Sequence, residues 1–144
     1  MILFTTSRKP SKNIRTLAKK IANLIPNSIY LIRGKKSIEE LLEISKNKGY
    51  PKICIITNKQ GNPYLMRFIN LGKKNWDWAE ELKIKGVYLS KEKITTNTIK
   101  TSKELEKLFN TKSEEEAKIN LEKQNNQLLF KKGKKIIIKI NLQE

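Results

Sequence analysis

From Ile2 to Arg33 the hydrophobic period changes twice, and this succession narrows the fold to a few topologies. "ILFTT" (2–6) is β-prone, and from Ser11 onward Ile14, Leu17, Ala18, Ile21, Leu24 and Ile25 recur at helical spacing. "SIYLIR" (28–33) then reads as a second strand. Ser11 is the natural N-cap of the intervening helix, and Pro26 stops it. A strand–helix–strand unit crosses over right-handed, so its strands run parallel and their carboxyl ends meet at one edge of a sheet.

The rest of the chain extends the same alternation. Ser37 and Glu40 form a capping box for a helix reaching about Lys48, with Gly49 in the C′ position. A strand at 52–57 is followed by "NKQGNP" (58–63), which suits a hairpin turn of several residues, and by a strand at 64–71. The segment 72–83 is read as carrying a short helix at about 76–82, ahead of a strand at 85–92. A helix capped by Thr101 or Ser102 follows, then strands at about 118–122, 127–132 and 135–142. The expected fold is α/β, a mixed β-sheet with packed helices, in one domain over 1–144. "ILFTTS" and "VYLSKE", each leading into a helix, hint at two similar halves, 1–82 and 83–144, on too few identities to establish a repeat.

Charge is segregated along this framework. The 144 residues carry 31 Lys and Arg against 14 Asp and Glu, a formal net charge of +17, which points to a polyanionic partner. Residues 1–38 contain Arg8, Lys9, Lys12, Arg15, Lys19, Lys20, Arg33, Lys35 and Lys36 and no acid. A lysine-loaded surface accounts for part of the excess but not for this distribution. All four arginines (Arg8, Arg15, Arg33 and Arg67) lie in the first 67 residues, and the planar guanidinium fork matches phosphate.

Enzymatic chemistry finds little support. With no histidine and one cysteine, neither a Ser-His-Asp triad, a Cys-His pair nor a zinc cluster can be assembled. "GKKS" (34–37) ends like a P-loop but lacks its upstream glycine and has its Lys-Ser pair displaced. Glu39, Glu40 and Glu43 fall in the first turns of a helix, where acids complement the dipole. Cys54 in "KICIIT" reads as a buried strand residue. No apolar run approaches a membrane span and no signal peptide is apparent, so a soluble, cytoplasmic, non-enzymatic protein without cofactor or metal is expected.

The parallel crossover assembles the candidate site. Arg8 follows the first strand and Arg33 ends the second, so both fall at one sheet edge with Lys9, Lys35, Lys36 and two helix N-termini. Thr5, Thr6, Ser7 and Ser11 add neutral donors suited to phosphate oxygens or a ribose hydroxyl. Lys12, Arg15 and Lys19 extend the cluster as a basic stripe along the first helix, which could equally be a solvated face. On the 64–71 strand, Tyr64, Met66 and Phe68 share one face and read as core in preference to a base-stacking platform. Trp76 and Trp78 are also read as packing.

"TTSRKPS" after an N-terminal strand, "LIPNS" at the end of the first helix, "RG" at 33–34 and "GNP" at 61–63 together resemble the Brix-domain family of ribosome-biogenesis proteins. The resemblance covers about residues 1–72. It implies ribosomal or pre-ribosomal RNA as the partner, a role in rRNA processing or assembly, and two halves each like the anticodon-binding domain of class IIa aminoacyl-tRNA synthetases. Ribosome-assembly proteins are further implied partners. A protein scaffold in ribosome assembly and an accessory tRNA-binding module are the alternatives. Larger relatives continue into a Glu-x-Gly-Pro-x-Phe stretch, of which Glu144 would be the first residue.

Overall fold

The structure, a computed structural model, describes residues 1–143, and Glu144 lies outside the described residues. Its elements are β1 (Ile2–Thr6), α1 (Lys12–Leu24), β2 (Ser28–Tyr30), α2 (Ile38–Asn47), β3 (Lys52–Lys59) and β4 (Asn62–Leu71). They continue with β5 (Trp76–Leu89), β6 (Lys100–Thr101), α3 (Lys103–Phe109), β7 (Ile119–Gln124), β8 (Gln127–Lys132) and β9 (Lys135–Leu142). The fold is the expected α/β type with a mixed sheet. Among the described residues nine strands form one sheet in the order β2-β1-β3-β4-β5-β9-β8-β7-β6. β1 runs parallel to β2 and β3, and β6 runs parallel to β7.

Local chemistry explains the helices. Ser11, Ser37 and Ser102 each accept a hydrogen bond from a first-turn backbone N–H, and Ser37 and Glu40 complete the capping box. Gly49 follows α2 at φ +79, a value costly to a residue with a Cβ.

Each face of the sheet has its own core. Ile14, Leu17, Ala18 and Ile21 of α1 and Phe109 of α3 pack with Phe4, Cys54, Met66, Phe68, Phe130 and Ile138 on one face. Leu41 and Leu42 of α2 pack with Leu3, Ile53, Ile55 and Ile69 on the other. Phe109 touches Phe4, Phe68 and Phe130, with ring centroids 6.4, 5.8 and 6.4 Å away.

The structure corrects three expectations. The helix at 76–82 is absent, because Trp76–Leu89 is a single strand. Its first part pairs with β4 through Leu71↔Trp76, Ile69↔Trp78 and Arg67↔Glu81. The register shifts between Arg67 and Ile69, and this bulge lets Ala79 and Leu82, three residues apart, pack on the same core. Spacing by three imitates a helix, and pairing with a central strand overrides the propensity of Ala-Glu-Glu-Leu. From Ile84 the same strand pairs with β9. Second, the turn after β3 is short, with Lys59 opposite Asn62 and only Gln60 (φ 53) and Gly61 (φ 82) between them, as in a type I′ hairpin. Third, β2 ends at Tyr30 instead of Arg33, although the Leu31 N–H still donates to the Phe4 carbonyl at 2.8 Å. No helix among the described residues is long and apolar enough to cross a membrane.

Candidate nucleic-acid interface

The parallel pairing of β1 with β2 and β3 brings "TTSRKPS" and "RGKKS" to one edge, where Arg8, Lys9 and Lys35 are exposed. The segment is fastened to its neighbours. The Thr5 hydroxyl donates to the Leu31 carbonyl at 2.7 Å, and Ser7 Oγ donates to Asn58 Oδ1 at 2.9 Å. Ser11 Oγ accepts from the Ile14 N–H and donates to the Gly61 carbonyl at 2.8 Å, so one hydroxyl caps α1 and pins the β3–β4 hairpin. Lys9 holds a left-handed φ of 53, which turns the chain sharply between β1 and α1.

The two arginines of this edge have different surroundings. Arg33 is 7% exposed and donates Nε–H to the Lys36 carbonyl at 2.8 Å and Nη1–H to the Thr6 carbonyl at 2.9 Å. It straps the end of β1 to the loop before α2. Burial, and then the charge of Arg8, hold its pKa below the ordinary guanidinium value. Arg8 shares the Lys36 carbonyl through a longer bond of 3.4 Å and stays exposed. Thr5 and Thr6 are fully buried, with the Thr6 hydroxyl donating to the Ser7 carbonyl. Thr5, Thr6 and Arg33 therefore face internal partners, in contrast to the expectation that their side chains are presented as donors at the surface. The physical reason is that backbone carbonyls at the ends of β1 and β2 lack ladder partners, and these side chains supply them.

Of the remaining residues, Lys36 is half-buried and donates Nζ to the Ile32 carbonyl at 3.0 Å. Lys12, Arg15 and Lys19 are exposed along α1. Arg15 reaches the Pro10 carbonyl at 3.4 Å and the Lys19 Nζ sits 5.6 Å from the Tyr30 ring centroid, so the stripe runs from the edge toward β2. Lys20 is diverted, its Nζ donating to the Ser90 and Glu92 carbonyls at 2.9 Å each. The helix termini are also unequal. Glu39 and Glu40 occupy the first turn of α2, whereas α1 has no acid in its first turn, so its positive end is left uncompensated.

A shallow depression joins this edge to the sheet face beyond it, its lining including Ser7, Arg8, Arg67 and Trp78 together with Ser37 and the carboxylate of Glu39. Arg67 lies 3.9 Å from the Trp78 ring centroid and donates Nε–H to Glu81 at 3.1 Å. Trp76 packs edge-on against Trp78 at 5.8 Å, and the two are 40% and 41% exposed. Both rings pack as read from the sequence, on each other and against Arg67, and a large part of each also stays exposed. "WDW" places two indoles on one face of a strand, a signal masked by reading the segment as a helix. Met66 and Phe68 are fully buried, in keeping with the core reading of that face.

No family model matches the chain. Curated proteins do match it. A probable Brix domain-containing ribosomal biogenesis protein of Pyrococcus horikoshii is 40% identical over 92 residues, 64% of this chain and 41% of that protein. One of the same name from Aeropyrum pernix is 34% identical over 90 residues, 62% of this chain and 50% of that protein. The matched stretch thus spans half or less of these relatives. Among solved structures, a probable ribosomal biogenesis protein from Aeropyrum pernix K1 superposes with a TM-score of 0.76 at 24% identity, covering 98% of this chain and 94% of that one. Mil, an archaeal Imp4-like protein, gives 0.76 at 15% identity, covering 100% and 97%. The fold is shared with these two structures, and the resemblance read from the motifs is borne out.

Proposed function

From the likeness of this chain to Brix domain-containing ribosomal biogenesis proteins, we propose that it is a cytoplasmic, non-enzymatic RNA-binding protein of ribosome biogenesis. It binds ribosomal or pre-ribosomal RNA through phosphates and ribose hydroxyls and aids its processing or assembly. The observation that carries the reading is the sheet edge where exposed Arg8, Lys9 and Lys35 stand beside the uncompensated N-terminus of α1. Ser7 and Ser11 fix the backbone of this edge, Arg33 braces it from beneath, and Lys36, Lys12, Arg15 and Lys19 widen the field around it.

Binding to a ribosomal RNA fragment, measured across a salt series, tests this reading. Arg8→Ala combined with Lys9→Ala and Lys35→Ala is expected to weaken binding and flatten the dependence of log affinity on log salt by about 0.7–0.9 per lost phosphate contact. Unchanged affinity and slope would mean that RNA does not use this edge. Arg33→Ala is unsuited to the experiment because it disturbs the fold. Preference for transfer RNA over the ribosomal RNA fragment in competition would favour the tRNA-binding alternative.

A further inference from the structure

Beyond the basic edge the sheet has a second surface suited to nucleic acid. α1 and α3 cover one face, and α2 covers the other only over β1 and β3 and the Ile69 end of β4. Among the described residues, no helix packs on the α2 side of β5, β9 and β8.

Cross-strand partners share a face. Trp76, Trp78, Glu81 and Lys83 lie opposite Leu71, Ile69, Arg67 and Leu65, and Ile69 and Leu71 belong to the α2-side cluster. Farther along β5, Val87 and Leu89 turn to the α1-side core, which puts Tyr88 and its partner Lys139 on the open side. Leu129 follows opposite Lys139. The open face therefore presents three exposed aromatic rings, Trp76, Trp78 and Tyr88 (50% exposed), among cations. Arg67, Lys83, Lys131 and Lys139 stand there against the carboxylates of Glu81 and Glu122, which pair with Arg67 and Lys131. Lys83 and Lys139 have no acid opposite them in the ladder.

We propose that a single RNA strand, held at the Arg8 edge, continues through the Arg67–Trp78 depression onto this open face. There its unpaired bases stack on Trp78 and then Trp76 beside Arg67, while Lys83, Lys139 and Tyr88 lie in the opposite direction along β5 and extend the cationic face without lying on this path. The inference rests on the RNA-binding reading of the edge and adds a base-stacking platform to it. The setting fits nucleic acid better than a protein partner: protein interfaces are depleted in lysine, whereas single-strand binders combine a cationic track with aromatic rings that stack any base. The depression lined by both Arg8 and Trp78 makes the two surfaces continuous.

The chain has two tryptophans, and both lie on this face, so tryptophan emission excited where tyrosine does not absorb reports on the platform alone. The full chain is titrated with a short oligouridylate and with an abasic ribose-phosphate strand of equal length. Quenching by the first and not by the second is expected. Trp78→Ala should weaken oligouridylate binding about tenfold without changing the salt slope, and Trp78→Phe should recover most of the loss. RNA binding that depends on Arg8 and Lys9 but leaves the tryptophans unquenched and Trp78→Ala unaffected overturns the platform and spares the edge, which leaves this face to a protein partner. Equal quenching by the abasic strand overturns stacking. A wild-type chain that binds neither strand at low salt overturns the edge and the platform together.

Discussion

Arg8 and Arg33 sit within one hydrogen-bonded cluster and share the Lys36 carbonyl, yet removing them should have opposite consequences. Arg33→Ala deletes two charge-assisted bonds, one buried to the Thr6 carbonyl and one partly buried to the Lys36 carbonyl, and a loss of about 2–4 kcal/mol is expected in urea unfolding. Arg8→Ala removes one long, exposed contact, so stability should stay within about 0.5 kcal/mol while RNA affinity falls. Cys54 offers a second single-residue test. Complete burial raises its thiol pKa far above the ordinary value, so the native chain should resist alkylation until it is unfolded. The folded protein retains a proton that the unfolded chain releases. The thiol's contribution is therefore full below the unfolded pKa of about 8.5 and declines as pH rises above it, by at most about 1.4 kcal/mol per pH unit. Urea midpoints on Cys54→Ala and the wild type, compared from neutral to alkaline pH, isolate that slope.

Among the elements, α1 and α2 share the same serine cap, but its reach differs. Ser37 satisfies its own helix, so Ser37→Ala should cost about 1 kcal/mol. Ser11 also donates to the Gly61 carbonyl fifty residues away, and Ser11→Ala should cost about 2 kcal/mol because a hairpin carbonyl loses its partner as well. Chemical unfolding of the two variants provides the comparison. A smaller loss for Ser11→Ala than for Ser37→Ala would show that the Gly61 contact contributes nothing. The caps, Gly49 and the strands at 127–132 and 135–142 were legible because each is written in adjacent residues. β5 was not legible, because its bulge spaces Ala79 and Leu82 like a helix and its strand character comes from partners on β4 and β9.

For the whole molecule, β5 and Phe109 hold the sheet together. β5 changes partner from β4 to β9 along its length, and Phe109 touches Phe4 and Phe68 on one side and Phe130 on the other. Phe109→Ala should cost about 3–5 kcal/mol, since the cavity would open where side chains of β1, β4 and β8 converge on this ring. Fluorescence from Trp76 and Trp78, both in the β4–β5 region, and far-ultraviolet circular dichroism from the whole chain should report one coincident unfolding transition. Separate transitions would mean that β5 does not couple the two ends of the sheet.

The order of elements apart from β5 and β6, their caps, the parallel crossover and the concentration of positive charge at one edge all follow from residues near one another in the chain. Period, capping and charge act locally, and a right-handed crossover has one geometrical outcome. Which basic groups remain available at that edge is settled by long-range contacts. Arg8 and Arg33 are the same residue type in similar turns, and only the carbonyls of Thr6 and Lys36 make one of them a buried strap and leave the other at the surface. The same holds for Trp76 and Trp78, whose exposure depends on α2 covering β1 and β3 and leaving β5 open. Burial and hydrogen-bond satisfaction belong to groups brought together from distant parts of the chain, and spacing along the sequence does not encode them.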